Sequence, residues 1–154
     1  MIKLLRLEFI PSATDFALLI LRVCLGGTMV FAHGWPKLMK LVQGNVQFSD
    51  PLGLVGPMPA LAIAVIGEAI CAVLIVLGAF TRIAAAWLGV IMGVAFFVVH
   101  NAKLVGQGNG ELAFVYFVGC IVLFLTGAGR FSVDGKSGGG GSGKVKPVKS
   151  SSKE

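Results

Sequence analysis

Arg22 and Glu68 are the residues whose chemistry most needs an explanation, because each is a charged side chain within a long apolar run. An arginine at the centre of a membrane-spanning helix costs about 2.5–3.5 kcal/mol of insertion free energy. The nine Leu, Ile, Val and Phe residues between Phe16 and Phe31 contribute roughly 3–5 kcal/mol of favourable insertion free energy. Arg22 cancels most of this contribution, so its charge needs a partner. We therefore predict that Arg22 and Glu68 form an ion pair between two helices. Two interpretations stay open: a pair that only fixes helix register, and a pair that lines a functional cavity.

The two histidines extend this pattern. His33 follows Arg22 by eleven residues, about three helical turns, and His100 follows Arg82 by eighteen residues, about 27 Å. Each pair therefore shares one face of its helix. A capping or interface role for each histidine is the alternative to a binding role. The residues that we predict to line a polar cavity are Arg22, His33, Lys37, Glu68, Arg82 and His100.

Metal and nucleophile chemistry is not predicted. The sequence has neither an H-x-x-x-H nor a C-x-x-C spacing, so we expect no metal site. Cys24, Cys71 and Cys120 each lie in a different apolar run and are expected to serve as packing residues. A redox role for Cys71, three residues after Glu68, stays open.

The composition defines the class of protein. The chain has 154 residues, of which 56% are hydrophobic and only 13% charged. A soluble domain has about 25% charged residues, and disordered chains are poor in large apolar residues. The charges lie mostly at the ends of apolar runs and not in an aromatic-rich basic patch, which argues against nucleic-acid binding. The sequence therefore predicts an integral membrane protein.

Four apolar runs are long enough to cross a bilayer core of about 30 Å. They cover about residues 16–33, 58–80, 83–99 and 112–128. The turn before residue 83 is short, so the second and third runs should be antiparallel neighbours. Gly89 and Gly93 form a small-xxx-small motif for close helix packing. We predict an all-α fold, a four-helix transmembrane bundle, with a short interfacial helix between the first and second spans.

The distribution of positive charge predicts the orientation. With four spans, Lys3, Arg6, Arg82 and Arg130 lie on one side, and Lys37, Lys40 and Lys103 lie on the other. The positive-inside rule places both termini in the cytoplasm. A cleaved signal peptide is the alternative for the first run, but Asp15 and Arg22 interrupt its apolar core, so we predict an uncleaved span.

The chain divides into two parts. Residues 1–135 form the predicted membrane domain. Residues 136–154 form a Gly/Ser/Lys-rich tail that holds five lysines and is expected to be flexible. This tail is either natural or an engineered linker, so no functional inference is taken from it.

Several ordered motifs resemble the DoxX family of small four-helix bacterial membrane proteins, over about residues 14–135. They are Leu21-Arg22, His33-Gly34-Trp35-Pro36-Lys37-Leu38, Gly67-Glu68, Leu77-Gly78-Ala79-Phe80-Thr81-Arg82-Ile83-Ala84, and Gly127-Ala128-Gly129-Arg130-Phe131-Ser132-Val133-Asp134. The positions that match the shared pattern are Arg22, His33, Lys37, Glu68, Arg82 and Arg130.

The resemblance implies a location in the bacterial cytoplasmic membrane and a link to redox chemistry. One member is a subunit of a thiosulfate:quinone oxidoreductase, and others resemble partners of thiol-handling enzymes. It therefore implies a membrane component of a quinone- or thiol-linked system, with quinone as the candidate cofactor and a soluble redox enzyme as the candidate partner. Whether the chain is itself an enzyme stays open, as does a homo-oligomeric state. Two alternative hypotheses are a non-enzymatic membrane anchor and a small proton- or anion-coupled transporter with the Arg22–Glu68 pair as its gate.

Overall fold

The computed structural model describes residues 13–44 and 47–137, and within these ranges every regular element is a helix. The elements, numbered in chain order, are α1 (Thr14–Val42), α2 (Pro57–Leu77), α3 (Thr81–Val99), α4 (Glu111–Thr126) and α5 (Val133–Ser137). The first three are long and apolar enough to cross a membrane, whereas the apolar α4 is shorter. The structure therefore shows a helical bundle of the predicted class, with three helices of spanning length and a shorter fourth.

Proline and glycine define the ends of α2. Gly56, with a φ of 84°, precedes the helix, and Pro57 occupies the first turn, where a missing backbone N–H removes no helical hydrogen bond. Gly78 ends the helix in the left-handed conformation, with a φ of 69°. This conformation is a common helix terminus that glycine adopts without steric cost.

The predicted short helix between the first two spans is present as Trp35–Val42, but it continues α1 without a break. The connection is the π-helical turn Val30–Gly34, which ends two residues before Pro36. A proline within a helix removes one hydrogen bond and displaces the preceding turn, and a π-turn accommodates such a displacement. Two further π-helical segments occur, Ile66–Cys71 in α2 and Ala95–Val99 in α3.

The long helices pack as antiparallel neighbours. On α1, Gly26 lies against Ala72 and Val76 of α2, and Gly34 lies against Glu68. On α3, Gly89 faces Cys120 of α4 and Gly93 faces Phe117. The predicted packing glycines thus lie where α3 contacts α4.

The main buried core lies between all four helices. Leu25 and Met29 of α1, Ile75 of α2, Leu88 of α3 and Leu123 of α4 belong to one cluster. Many large apolar side chains on the outer helix faces remain exposed, as expected for helices that meet lipid. The first two residues of the predicted tail end α5, and the tail from residue 138 lies outside the described residues.

Candidate functional site

An ion pair between Lys37 and Glu68 is the central feature of the candidate site. The Lys37 ammonium group donates to both carboxylate oxygens of Glu68. The side chain of Glu68 is 4% exposed and that of Lys37 is 26% exposed. A buried carboxylate needs a partner of opposite charge, and Lys37 supplies it.

Close contact between α1 and α2 brings this pair together. Gly34 packs directly on the backbone of Glu68: a Cβ atom at position 34 would lie 2.6 Å from the Glu68 carbonyl carbon and 2.8 Å from Cα of Ala69. Only glycine permits this approach. Both partners lie in or beside π-helical turns, which are frequent at functional sites.

A cavity of about 380 Å³ adjoins the ion pair. It lies between α2 and α3, beneath the loop that precedes α2. Its polar lining residues include Lys37, Glu68 and His100, and its walls are mainly apolar. The lining residues from the loop are Phe48, Ser49, Asp50, Pro51, Leu52 and Val55. A mainly apolar pocket with a few polar groups is the usual form of a small-molecule site.

Asp50 organises the loop that covers this cavity. Its carboxylate accepts hydrogen bonds from the backbone N–H groups of Leu52 (3.1 Å), Val55 (2.8 Å) and Gly56 (2.8 Å). The bonds from Val55 and Gly56 are the main reason that the pKa of Asp50 lies below its ordinary value. The same loop places the Phe48 ring 5.7 Å from the Lys37 nitrogen, within the range of a cation–π contact.

His100 has a defined hydrogen bond at the other side of the cavity. Its Nδ1 lies 2.9 Å from the carbonyl oxygen of Gly108. A carbonyl oxygen only accepts, so Nδ1 carries the proton in this bond, and Nε2 of a neutral imidazole is then an acceptor. His100 is therefore a polar lining residue of the cavity whose tautomer is set by a backbone carbonyl.

Arg22 does not pair with Glu68, so that prediction is wrong. Its side chain is fully buried, and it donates to the backbone carbonyls of Val76 (3.3 Å) and Phe131 (2.5 Å), with a longer bond of 3.5 Å to Ile75. The last carbonyl groups of a helix lack the ordinary helical partner. Arg22 satisfies that of Val76, whereas the Ile75 carbonyl also accepts from the N–H of Gly78 at 3.1 Å.

Helix register explains the difference. In the antiparallel pair, Gly34 is level with Glu68, whereas Arg22 lies beside Gly78. Ten residues of helix separate Gly78 from Glu68, which is about 15 Å along the axis. The sequence indicated that both charges lie within spans, but an inferred depth was too coarse to predict their register.

A second polar cluster surrounds Arg22 at the opposite end of the bundle, and the sequence reasoning did not identify it. Asp134 accepts hydrogen bonds from the N–H groups of Phe80 (2.8 Å) and Thr81 (2.9 Å), and so caps α3 from a distant part of the chain. Burial by itself raises the pKa of Asp134, but these bonds and the nearby Arg22 charge bring it below its ordinary value. The only sequence signal was the position of Asp134 in the last family-like motif.

Two other predicted cavity residues lie elsewhere. The His33 ring packs edge-on against Tyr116, with 6.1 Å between the ring centres, and the Tyr116 hydroxyl donates to Thr28 at 2.7 Å. Arg82 is exposed and donates a 3.4 Å bond to the Leu125 carbonyl. The cavity thus unites Lys37, Glu68 and His100, and it does not include Arg22, His33 or Arg82.

Comparison with known proteins identifies the family. The DoxX family profile matches residues 17–101, which include Arg22, Lys37, Glu68 and His100. The chain belongs to the DoxX family.

Two curated relatives of this DoxX protein come from bacteria. An uncharacterised protein of Haemophilus influenzae is 34% identical over 116 residues, covering 70% of this chain and 81% of the relative. The inner membrane protein YphA of Escherichia coli is 33% identical over 131 residues, covering 80% of this chain and 91% of the relative. No solved structure matches.

Proposed function

We propose that this protein binds a quinone in the cavity beside the Lys37–Glu68 pair, as the membrane component of a redox system. The observation that carries the proposal is a mainly apolar cavity of about 380 Å³ with a buried ion pair at its edge. Ligand pockets usually measure about 300–1,000 Å³. This volume suits a molecule of one or two rings.

The residues present fit a quinone headgroup. Its ring is apolar and suits the walls formed by Ile63, Ile91 and Val94. Its carbonyl oxygens are acceptors. Lys37 has three donor hydrogens, and its contacts to Glu68 use two of them, which leaves one for a carbonyl of the ligand. A small water-soluble thiol would gain less from these apolar walls.

Glu68 has a positioning role in this proposal. Its carboxylate fixes the Lys37 ammonium group at the cavity edge. The bound quinone supplies the capacity to accept electrons, and a partner enzyme supplies the electrons. The protein's own residues bind and orient the headgroup.

We further propose a four-span topology in the bacterial inner membrane, with both termini in the cytoplasm. The short helix α4 lies beside α3 from the Arg82–Leu125 hydrogen bond to the contact of Gly110 with His100, so it follows α3 over most of its length. The similarity to an inner membrane protein of E. coli supports the location. The excess of Lys and Arg on the side of the two termini supports the orientation. Cysteine labelling from each side of the membrane at Arg130→Cys and Lys103→Cys tests this topology.

The transporter hypothesis loses its proposed gate. That hypothesis used Arg22 and Glu68 as one intramembrane pair, and these residues bind different partners. The anchor hypothesis requires no ligand in the cavity. Quinone binding therefore discriminates the proposed function from both alternatives.

The test is quinone binding by the purified protein in lipid nanodiscs, measured by quenching of tryptophan fluorescence. We expect saturable binding, and Lys37→Met should weaken it about tenfold, the value of one hydrogen bond to a charged donor. Lys40→Met is the matched control, because Lys40 is exposed and lies outside the cavity. Equal affinity of the wild-type and Lys37→Met proteins, or no saturable binding, would contradict the proposal.

A further inference from the structure

An apolar groove lies next to the candidate cavity on the lipid-facing side of α3. It has a volume of about 340 Å³ and lies between α3 and α4. Gly89, Gly93 and Phe117 are among its lining residues. Val90 and Val94 line both this groove and the cavity. The two spaces are therefore neighbours separated only by this part of α3.

The part of α3 that lies between the two spaces is apolar. Val90 is 67% exposed, so its outer side is open to lipid. Gly89 and Gly93 contribute no side chains, and beside them the groove is bounded by Phe117 and Cys120 of α4. The two wall residues that the cavity and the groove share, Val90 and Val94, are therefore apolar and at least partly accessible.

We infer that the cavity and the groove form one composite site for a membrane lipid-like ligand with a polar head and a long hydrocarbon tail. The head occupies the cavity beside Lys37, and the tail passes Val90 and Val94 and lies in the groove. This inference rests on the proposed function and specifies its ligand class: a ring compound with an unbranched or polyprenyl tail, which reaches the site from the bilayer.

Continuity between the spaces favours a tail over a second copy of the protein. The groove shares two wall residues with a site that ends in charged groups. A tail attached to a bound head is held there at a high effective concentration. An isolated lipid chain or a second copy of α3 has no comparable link to Lys37 and Glu68.

The experiment compares two quinones with the same ring, one without a tail and one with a decyl tail. Their affinities are measured in nanodiscs and referred to the ligand concentration within the membrane. Gly93→Leu fills the groove, and its Cβ atom lies at an ordinary 3.4 Å from Phe117. Gly27→Leu is the matched control, because a Cβ atom there meets nothing within 4 Å.

We expect Gly93→Leu to weaken binding of the tailed quinone about tenfold, as for the loss of about two buried methylene groups. The tail-less quinone should keep its affinity within about twofold, and Gly27→Leu should change neither. Equal effects on both quinones, or none on either, would overturn the composite site and leave the proposed function intact. A change of oligomeric state in Gly93→Leu, seen by light scattering, would assign the groove to a second copy.

Failure of the proposed function gives a different result. Two results would contradict binding of the head beside Lys37: an unchanged affinity of Lys37→Met for the tail-less quinone, or no binding of either quinone by the wild-type protein. Either result would also contradict the composite site.

Discussion

Lys37 and Glu68 form an ion pair that joins the end of α1 to the middle of α2, across 31 positions of the chain. The two partners differ in burial, with Glu68 nearly inaccessible and Lys37 about one quarter exposed. This asymmetry predicts that removing one partner is not equivalent to removing the other.

Lys37→Met should destabilise the protein more than Glu68→Leu. The first change leaves a buried carboxylate without a partner, at a cost of about 3 kcal/mol. The second leaves a lysine that can extend toward solvent, at a cost of about 1 kcal/mol. The double variant should recover most of the loss, because the pair is then replaced by apolar groups. Thermal unfolding in detergent, followed by circular dichroism, measures the three values, and Lys40→Met provides the control. Equal losses in the two single variants would contradict this account.

Arg22→Met should destabilise the protein by a mechanism independent of Glu68. The change removes the donor for the carbonyl groups of Val76 and Phe131, and loss of a hydrogen bond to a charged group costs about 1.5–3 kcal/mol. Arg22→Lys should retain part of the stability, because lysine keeps the charge but lacks the planar fork. In a double-mutant cycle with Glu68→Leu, the two effects should add within about 0.5 kcal/mol. A larger coupling energy would restore the predicted Arg22–Glu68 pair.

Asp134→Asn should destabilise the protein in a pH-dependent way. The Asp134 carboxylate caps α3 through Phe80 and Thr81, and loss of a helix cap costs about 1 kcal/mol. Its pKa is lowered from the ordinary value of 3.8. A lowered folded-state pKa gives stability that is present above 3.8 and is lost as the pH falls through the lowered value. The unfolding temperatures of the two proteins should therefore differ at pH 7 and converge toward pH 3. A constant difference across this range would show that the charge has no role.

Gly34→Ala should be among the most damaging single-methyl substitutions in α1. A Cβ atom at this position would lie within 2.8 Å of backbone atoms of α2, so the helices must separate. Gly27→Ala adds the same methyl group to the same helix, where nothing lies within 4 Å, and alanine is a better helix former than glycine by about 1 kcal/mol. The two variants should therefore shift the unfolding temperature in opposite directions. A neutral Gly34→Ala variant would contradict the close packing of α1 and α2 at Glu68.

The amino-acid sequence by itself determined the membrane class and the approximate bounds of the helices, and it marked Glu68 and Lys37 as candidate site residues. These properties depend on local composition, because an apolar run of sufficient length must be helical in lipid whatever its neighbours are. The positions of Gly78 and Gly127 at helix ends follow from the same local rules.

Only the tertiary structure decided which charged residues meet. Arg22 and Glu68 each lie within an apolar run. The close contact at Gly34 sets a helix register in which Glu68 contacts Lys37. In the same register, Arg22 contacts the end of α2 and the segment before α5. The cap of α3 by Asp134 also joins residues more than 50 positions apart. Register between helices depends on the packing of side chains against a partner helix, and no periodicity within a single helix specifies that packing.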